Sequence, residues 1–344
     1  MLPLSPLPYG LAWLGLFTAS LLLTRLTLAW LRRRRIMDHP NARSSHNAPT
    51  PRGGGIAIVI LLFLLWAGRD FGRFFGLTDT GEPLPPAHLL APLAFLGLAA
   101  VCWRDDLSGL PPWLRLLAQL AACAAALPWA LGTPGWPAAA ETAALVILWA
   151  GFLNFFNFMD GIDGLTGVEA VSIAAGLFLL ALFLPPAQAT GLRDAAAAIA
   201  AIAAGFLVWN WHPARVFAGD VGSVPLGMAL GGLLLQLAAA GFWAAAVILP
   251  LYYLADAGLT LTRRILHGHR PWRAHREHCY QIAVRRGQGH ARVSGAVAGV
   301  NLLLALLALL SLLWPLIALG LALLLMPPLL WWMAGPAIWR GAGA

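Results

Sequence analysis

Four stretches gather groups capable of chemistry in a chain of 344 residues that is otherwise mostly apolar. The first is the adjacent pair Asp105 and Asp106, within Trp103-Arg104-Asp105-Asp106-Leu107. Neighbouring carboxylates repel and tend to share a proton or a cation; an ordinary polar loop is the plainer reading. The second is Asn154, Asn157, Asp160 and Asp163, interrupted by Gly161 and Gly164. Steps of three line one groove on a helix, and amide and carboxylate oxygens suit Mg²⁺. The glycines let the backbone turn and approach a ligand, although a helix ending in a capped Gly-rich turn would look similar. The third is Asp220 between Gly219 and Gly222, ahead of a helix expected to start at Ser223. Free N–H groups at a helix start attract anions. Ser223 as a plain N-cap would need neither Gly219 nor Asp220.

The fourth stretch is residues 263–292, with eight Arg, five His and Glu277 as its one acid. Arg270, Arg276, His275 and His278 form its densest part; Arg binds phosphate bidentately and His donates hydrogen bonds or moves protons. A basic loop that orients the chain explains the arginines but not the histidines. His39, His88 and His212 lack a partner pattern and read as local caps or surface residues. Asp256 lies close enough in sequence to Arg263 and Arg264 to be buried against one of them.

These groups need a membrane scaffold. Hydrophobic residues make up 60% of the chain and charged ones 10%, with mean hydropathy +0.76. A soluble domain carries roughly 25% charged residues, so a water-soluble enzyme and a disordered chain are excluded. Cys102, Cys123 and Cys279 stand in no paired or metal-ligand spacing. Runs of roughly 20 apolar residues predict about eleven spans, near 9–31, 53–68, 88–103, 114–131, 140–159, 166–184, 194–211, 223–241, 243–262, 293–313 and 315–335. The expected fold is an all-α polytopic membrane protein, a single membrane domain over 1–344. The opening MLPLSPLPYG lacks the basic start of a signal peptide, so the first span is expected to be retained.

Arg32, Arg33, Arg34 and Arg35 close the first span and should hold that end in the cytoplasm. Eleven spans then place the N-terminus in the periplasm and the C-terminus in the cytoplasm. The outer side holds three Arg against five acids, the inner side nineteen against nine. The basic excess is therefore read as topological rather than as a nucleic-acid site. All four clusters fall on the cytoplasmic side, in loops near 32–52, 104–113, 157–166, 212–223 and 263–292. Acids for a cation beside Arg and His for anions suit a phosphorylated substrate. The competing class is a transporter or flippase for a phosphorylated metabolite. That class favours midplane sites on broken helices in repeated halves, whereas here the acids gather at one end and no repeat is visible.

Five segments, DHPNARSSHNAPTPRGGG (38–55), RDDLSGLPPWLRLLAQ (104–119), NFFNFMDGIDGL (154–165), FAGDVGSVPLG (217–227) and HRPWRAHREHCYQ (269–281), follow one another in an informative order. They resemble the polyprenyl-phosphate N-acetylhexosamine-1-phosphate transferases, the superfamily of the MraY and WecA types. The resemblance implies a multi-pass enzyme of the bacterial inner membrane that uses Mg²⁺, with Mn²⁺ as the alternative ion. It would transfer a sugar 1-phosphate from a UDP-sugar to undecaprenyl or another polyprenyl phosphate, releasing UMP. By the same resemblance Asp105, Asp106, Asp160, Asp163 and His278 are catalytic, and Asp220 with Asn157 holds the metal. Asn154, Asn157, Arg270, Arg276 and His275 would bind substrate, and Trp272 would touch the sugar. The HREHCYQ form keeps His278 of a histidine-rich motif and looks more like the WbpL-type branch, which begins O-antigen or related surface glycans. Apolar helix faces would permit a homodimer.

Overall fold

The computed structural model describes residues 6–40, 45, 48–74, 85–270 and 275–338. Among them the order is α1 (Pro6–Arg34), β1 (Met37–Asp38), β2 (Thr50–Pro51), α2 (Ile56–Phe74), α3 (Leu90–Ser108), α4 (Pro112–Leu131), α5 (Ala139–Phe158), α6 (Leu165–Ala181), α7 (Pro186–Asn210), α8 (Asp220–Ala239), α9 (Trp243–Ile248), α10 (Leu251–Leu266), α11 (Cys279–Arg285), α12 (His290–Leu310) and α13 (Pro315–Ala334). Eight helices are long and apolar enough to cross a membrane: α1, α3, α4, α5, α7, α8, α12 and α13. The other three expected spans coincide with shorter or more polar helices. α2 carries Arg69 and Asp70, α6 has 17 residues, and Pro250 divides the ninth run into α9 and α10. The protein is an all-α polytopic membrane protein.

Local sequence sets several boundaries. Proline begins α4, α7 and α13, where its missing N–H costs nothing and its φ is already helical. The centre of the bundle is α8, with 83% of its apolar window buried. Its glycines make that possible. A Cβ at Gly231 would stand 2.6 Å from Trp149 Nε1, and one at Gly232 2.6 Å from the Trp129 ring. Small residues thus bring α8 close to α4 and α5, and Trp149 Nε1 donates to the Met228 carbonyl at 3.1 Å. α1 is fixed on α7 by Ser20 Oγ donating to Ile202 O at 2.6 Å and Trp209 Nε1 donating to Leu21 O at 2.9 Å.

Two devices shape the end of the bundle where the acids lie. The antiparallel pair β1–β2 leads into a strap that runs alongside residues 217–218. Phe217 N donates to Pro51 O, Gly54 N to Phe217 O and Gly55 N to Ala218 O, at 2.9, 2.9 and 3.0 Å. A Cβ at Gly55 would collide with the Gly222 backbone, so glycine is required for this approach, which sets Arg52 beside the start of α8.

The second device is capping by a distant carboxylate. Asp106 accepts the Asp220 and Val221 N–H groups at 3.0 and 2.9 Å, and Asp256 accepts those of Cys279 and Tyr280 at 2.8 and 3.2 Å. The sequence expectation of a helix starting at Ser223 is therefore corrected. α8 starts at Asp220, and Ser223 Oγ donates to Asn157 Oδ1 at 2.7 Å while lying 3.1 Å from Gly219 O. No local pattern signals a cap supplied from 114 residues away.

Candidate active site

Asp105 and Asp106 end α3 side by side but do different things. Asp105 Oδ1 accepts the Leu110 N–H at 2.6 Å, and its Oδ2 meets Arg115 Nη1 at 3.1 Å. It thereby fixes the turn into α4. Asp106, its side chain 1% exposed, is occupied on Oδ1 by Asp220 N and by Arg52 Nη2 at 2.8 Å, and on Oδ2 by Val221 N. Gly219, at φ +73°, leaves the room this needs, because a Cβ there would lie 2.7 Å from Asp106 Oδ2. Asp220 joins the two halves. Its Oδ1 lies 2.9 Å from Arg52 Nη2 and its Oδ2 3.7 Å from Arg115 Nη1. Burial opposes the Arg52 charge, but Asp106 and Asp220 outweigh it and raise its pKa.

These groups open on a cavity of about 1060 Å³. Asp38, Asp105, Asp160, Asp220, Asn154 and Asn157 supply oxygens to its wall, and Leu98, Val101, Trp113, Leu116, Phe155 and Leu261 make another part apolar. Asn157 Oδ1 accepts from Ser223 Oγ at 2.7 Å, while Asn154 Nδ2 donates to Gln119 Oε1 at 2.6 Å. Asp160 follows the end of α5 and accepts from Thr166 Oγ at 2.6 Å. Burial raises its pKa to about 6; the Thr166 bond lowers it and nearby Asp220 adds to the rise. With Asp106 just behind the wall, five carboxyl groups face two guanidiniums, Arg52 and Arg115, among the described residues. An oxygen-rich site with surplus negative charge is suited to a hard divalent cation.

His275 and His278 line the same cavity, their rings 5.0 Å apart. His278 is buried and stacks on Tyr280, whose hydroxyl donates to Phe158 O at 2.9 Å across Gly161. Burial, the neighbouring His278 ring and the positive charges of Arg264 and Arg263 lower the His275 pKa to about 3, so it is neutral at physiological pH. Glu277 draws in Arg263 and Arg264. Arg270 and Arg276, expected to bind substrate, are exposed and take no part in the cavity wall. Trp272, expected at the sugar, lies outside the described residues.

Asp163, three residues after Asp160, does not line the cavity. It sits behind it with His212 Nδ1 at 2.6 Å from Oδ2, His290 Nδ1 at 3.2 Å from Oδ1 and the Ala214 N–H at 3.1 Å. Burial alone would raise its pKa, but hydrogen bonds from the two histidines and Ala214 prevail and lower it to about 2. His290 Nε2 lies 3.1 Å from the Ser45 carbonyl. His212, read from sequence as a local cap or surface residue, is thus a partner of Asp163. The ligand atoms of Asp163, His212 and His290 lie within 4.8 Å of one another, close enough to hold a metal ion. Sequence reasoning missed Arg52, Arg115, His212 and His290. Arg115 carries the one local signal, ten residues after Asp105 across a Gly-Leu-Pro-Pro turn.

Comparison with known proteins points in one direction. The glycosyl transferase family 4 model matches residues 88–238. A Streptomyces coelicolor protein described as a glycosyltransferase is 32% identical over 312 residues, covering 85% of this chain and 69% of that protein. A phospho-N-acetylmuramoyl-pentapeptide-transferase of Synechococcus sp. is 30% identical over 252 residues, with coverage of 66% and 68%. Another, from Lactiplantibacillus plantarum, is 32% identical over 199 residues, covering 54% of this chain and 60% of its own.

Proposed function

The chain belongs to glycosyl transferase family 4, the polyprenyl-phosphate hexosamine-1-phosphate transferase superfamily, and from that membership we propose that it moves an N-acetylhexosamine 1-phosphate from a UDP-sugar to undecaprenyl phosphate, releasing UMP. The observation that carries this reading is the convergence of Asp105, Asp160, Asp220 and Asn157 on one cavity whose remaining wall is largely apolar. Such a cavity suits a charged diphosphate beside a lipid chain. The site would face the cytoplasm of a bacterial inner membrane. The HREHCYQ segment favours a surface glycan such as O-antigen as the product's destination, and apolar helix faces would allow a homodimer.

Asp220 and Asn157 are the residues we assign to a divalent cation, Mg²⁺ or Mn²⁺. When bound, that cation would supply charge neutralisation at the diphosphate. The oxygen donors of Asp220 and Asn157 suit Mg²⁺ better than the two imidazoles around Asp163, which are ligands for transition metals. The acceptor is a phosphate monoester with a second pKa of about 6, already mostly dianionic, so a strong base matters less than charge cancellation. Asp106 is absent from the cavity wall and spends its oxygens on Arg52 and the start of α8, so it acts as a positioning residue. That leaves Asp105, on the wall, to orient the acceptor phosphate or take its residual proton. Asp160 and His278 border the reacting groups, His275 and Asn154 help shape the pocket, and Asp163 positions Asp160 from behind.

The acceptor oxygen attacks the β-phosphorus directly in line, forming the new P–O bond as the bond to UMP breaks. Inversion at a chiral β-phosphorus fits this route; net retention would call for a covalent aspartyl-phosphate instead. The function is tested with purified protein, undecaprenyl phosphate, Mg²⁺ and a panel of UDP-sugars, scoring UMP. Release with an N-acetylhexosamine donor is expected, and no UMP with any sugar would overturn the reading.

A further inference from the structure

Building on the transferase reading, we infer that Arg52 and Arg115 are diphosphate-binding residues that exchange partners as the site fills. Each guanidinium pairs with carboxylates of the site and turns to phosphate oxygens once those carboxylates have a divalent cation to answer their charge.

The geometry around Asp220 is the reason. Arg52 Nη2 stands 2.9 Å from one of its oxygens and Arg115 Nη1 3.7 Å from the other. The residue best placed to hold a cation is thus already flanked by two positive groups. Three cations crowded on one carboxylate repel one another, so loading the site must weaken the guanidinium contacts. Both arginines have somewhere to go. Their side chains are 35% and 38% exposed and line the cavity. A guanidinium has five N–H donors, and Arg52 reaches both Asp106 and Asp220 through Nη2 alone among the described residues. The rest of the fork is free to meet a phosphate in the bidentate manner that Arg favours.

The backbones do not have to move. Arg52 is held by the strap against residues 217–218 and Arg115 by the first turn of α4. Only the side chains swing, from opposite sides of Asp220. The exchange also gives the cavity permanent cations on its wall, which Arg270 and Arg276 do not supply.

A residue that competes with the cation and cooperates with the anion has effects of opposite sign on the two. Full-length protein in detergent micelles would be titrated with Mn²⁺ alone by electron paramagnetic resonance, and with UDP at saturating Mg²⁺ by calorimetry. Arg115→Ala is expected to bind Mn²⁺ about fivefold tighter and UDP roughly tenfold weaker. Arg52→Lys keeps the charge but loses the fork, so Mn²⁺ binding should hold within about twofold while UDP weakens about tenfold. Mn²⁺ and UDP affinities falling together in Arg115→Ala would show a merely structural role and overturn the exchange. So would unchanged UDP binding in both variants. Parent protein that binds Mn²⁺ but no UDP would sink the transferase reading itself, and this inference with it.

Discussion

Asp160 and Asp163 leave the same turn three residues apart and enter opposite environments. Asp160 faces a cavity where acids outnumber the two guanidiniums, and burial raises its pKa to about 6. Asp163 turns behind the wall into a pair of imidazoles and a backbone N–H, and its pKa falls to about 2. The difference lies in what answers the charge. At the cavity the answer is incomplete, so negative potential is left over for a ligand. Behind it, Asp163 is fully engaged, and its charge is used to tie the turn at 163 to the loop after α7 and the start of α12. One short glycine-rich segment thus supplies both part of the cavity wall and the staple that keeps that wall in place.

The sharpest way to break this comparison is to remove one acid from each centre. Asp220→Ala should lower UMP release by about a thousandfold or more, as expected when a preorganised electrostatic group is lost, with little change in melting temperature. Asp163→Ala should do the reverse. It strands the buried His290 ring and the Ala214 N–H, at a cost of about 3 kcal/mol, and activity per folded molecule should fall far less than in Asp220→Ala. Equal melting losses in the two variants would erase the distinction between a functional and a structural acid.

The two acids should also respond to pH with opposite sign. Asp160 has a folded pKa of about 6, above its ordinary 3.8. Its contribution to stability is full below about pH 3.8 and is lost as pH rises through 6. Asp163 is shifted downward, to about 2, so its contribution is present above pH 3.8 and is lost as pH falls toward 2. Thermal melts of Asp160→Asn and the parent between pH 4 and 8 should converge at the acid end and separate above pH 6, with the variant the more stable. Asp163→Asn should instead be the less stable across that whole range. Parallel curves for the two variants would mean that their surroundings do not differ as described.

Much of this site was legible in the sequence because the informative residues are costly in a membrane protein and lie in compact runs. Asp105, Asn157, Asp160 and Asp220 stood out for that reason, and the structure brings all four to one cavity. The division of labour between Asp105 and Asp106 was not legible, since it depends on which of them meets the start of α8. Arg52 and His290 were hidden for the same reason: their partners are 168 and 127 residues away. A basic residue in a basic-biased chain gives no local sign of pairing with an acid. The span count was blurred for another cause. α10 buries Asp256, Thr260, Arg263 and Arg264 within the protein, and a hydropathy run cannot separate burial in protein from burial in lipid.

The smallest expected effect refines the Asp163 centre itself. His212 and His290 both meet the carboxylate, but the His212 side chain is 43% exposed and that of His290 11%. An exposed pair competes with water and contributes little, so His212→Ala should cost about 0.5 kcal/mol. His290 is anchored at its far nitrogen by Ser45 O and presents its near one to Asp163. Losing it removes a contact at each end in a nearly dry place, and His290→Ala should cost about 2 kcal/mol. The ratio is the useful quantity, because it separates two descriptions of the staple. If burial sets the strength of each tie, the His290 variant melts well below the His212 variant. If the shorter 2.6 Å contact of His212 sets it, the order reverses, and the staple runs mainly to the loop after α7 rather than to α12.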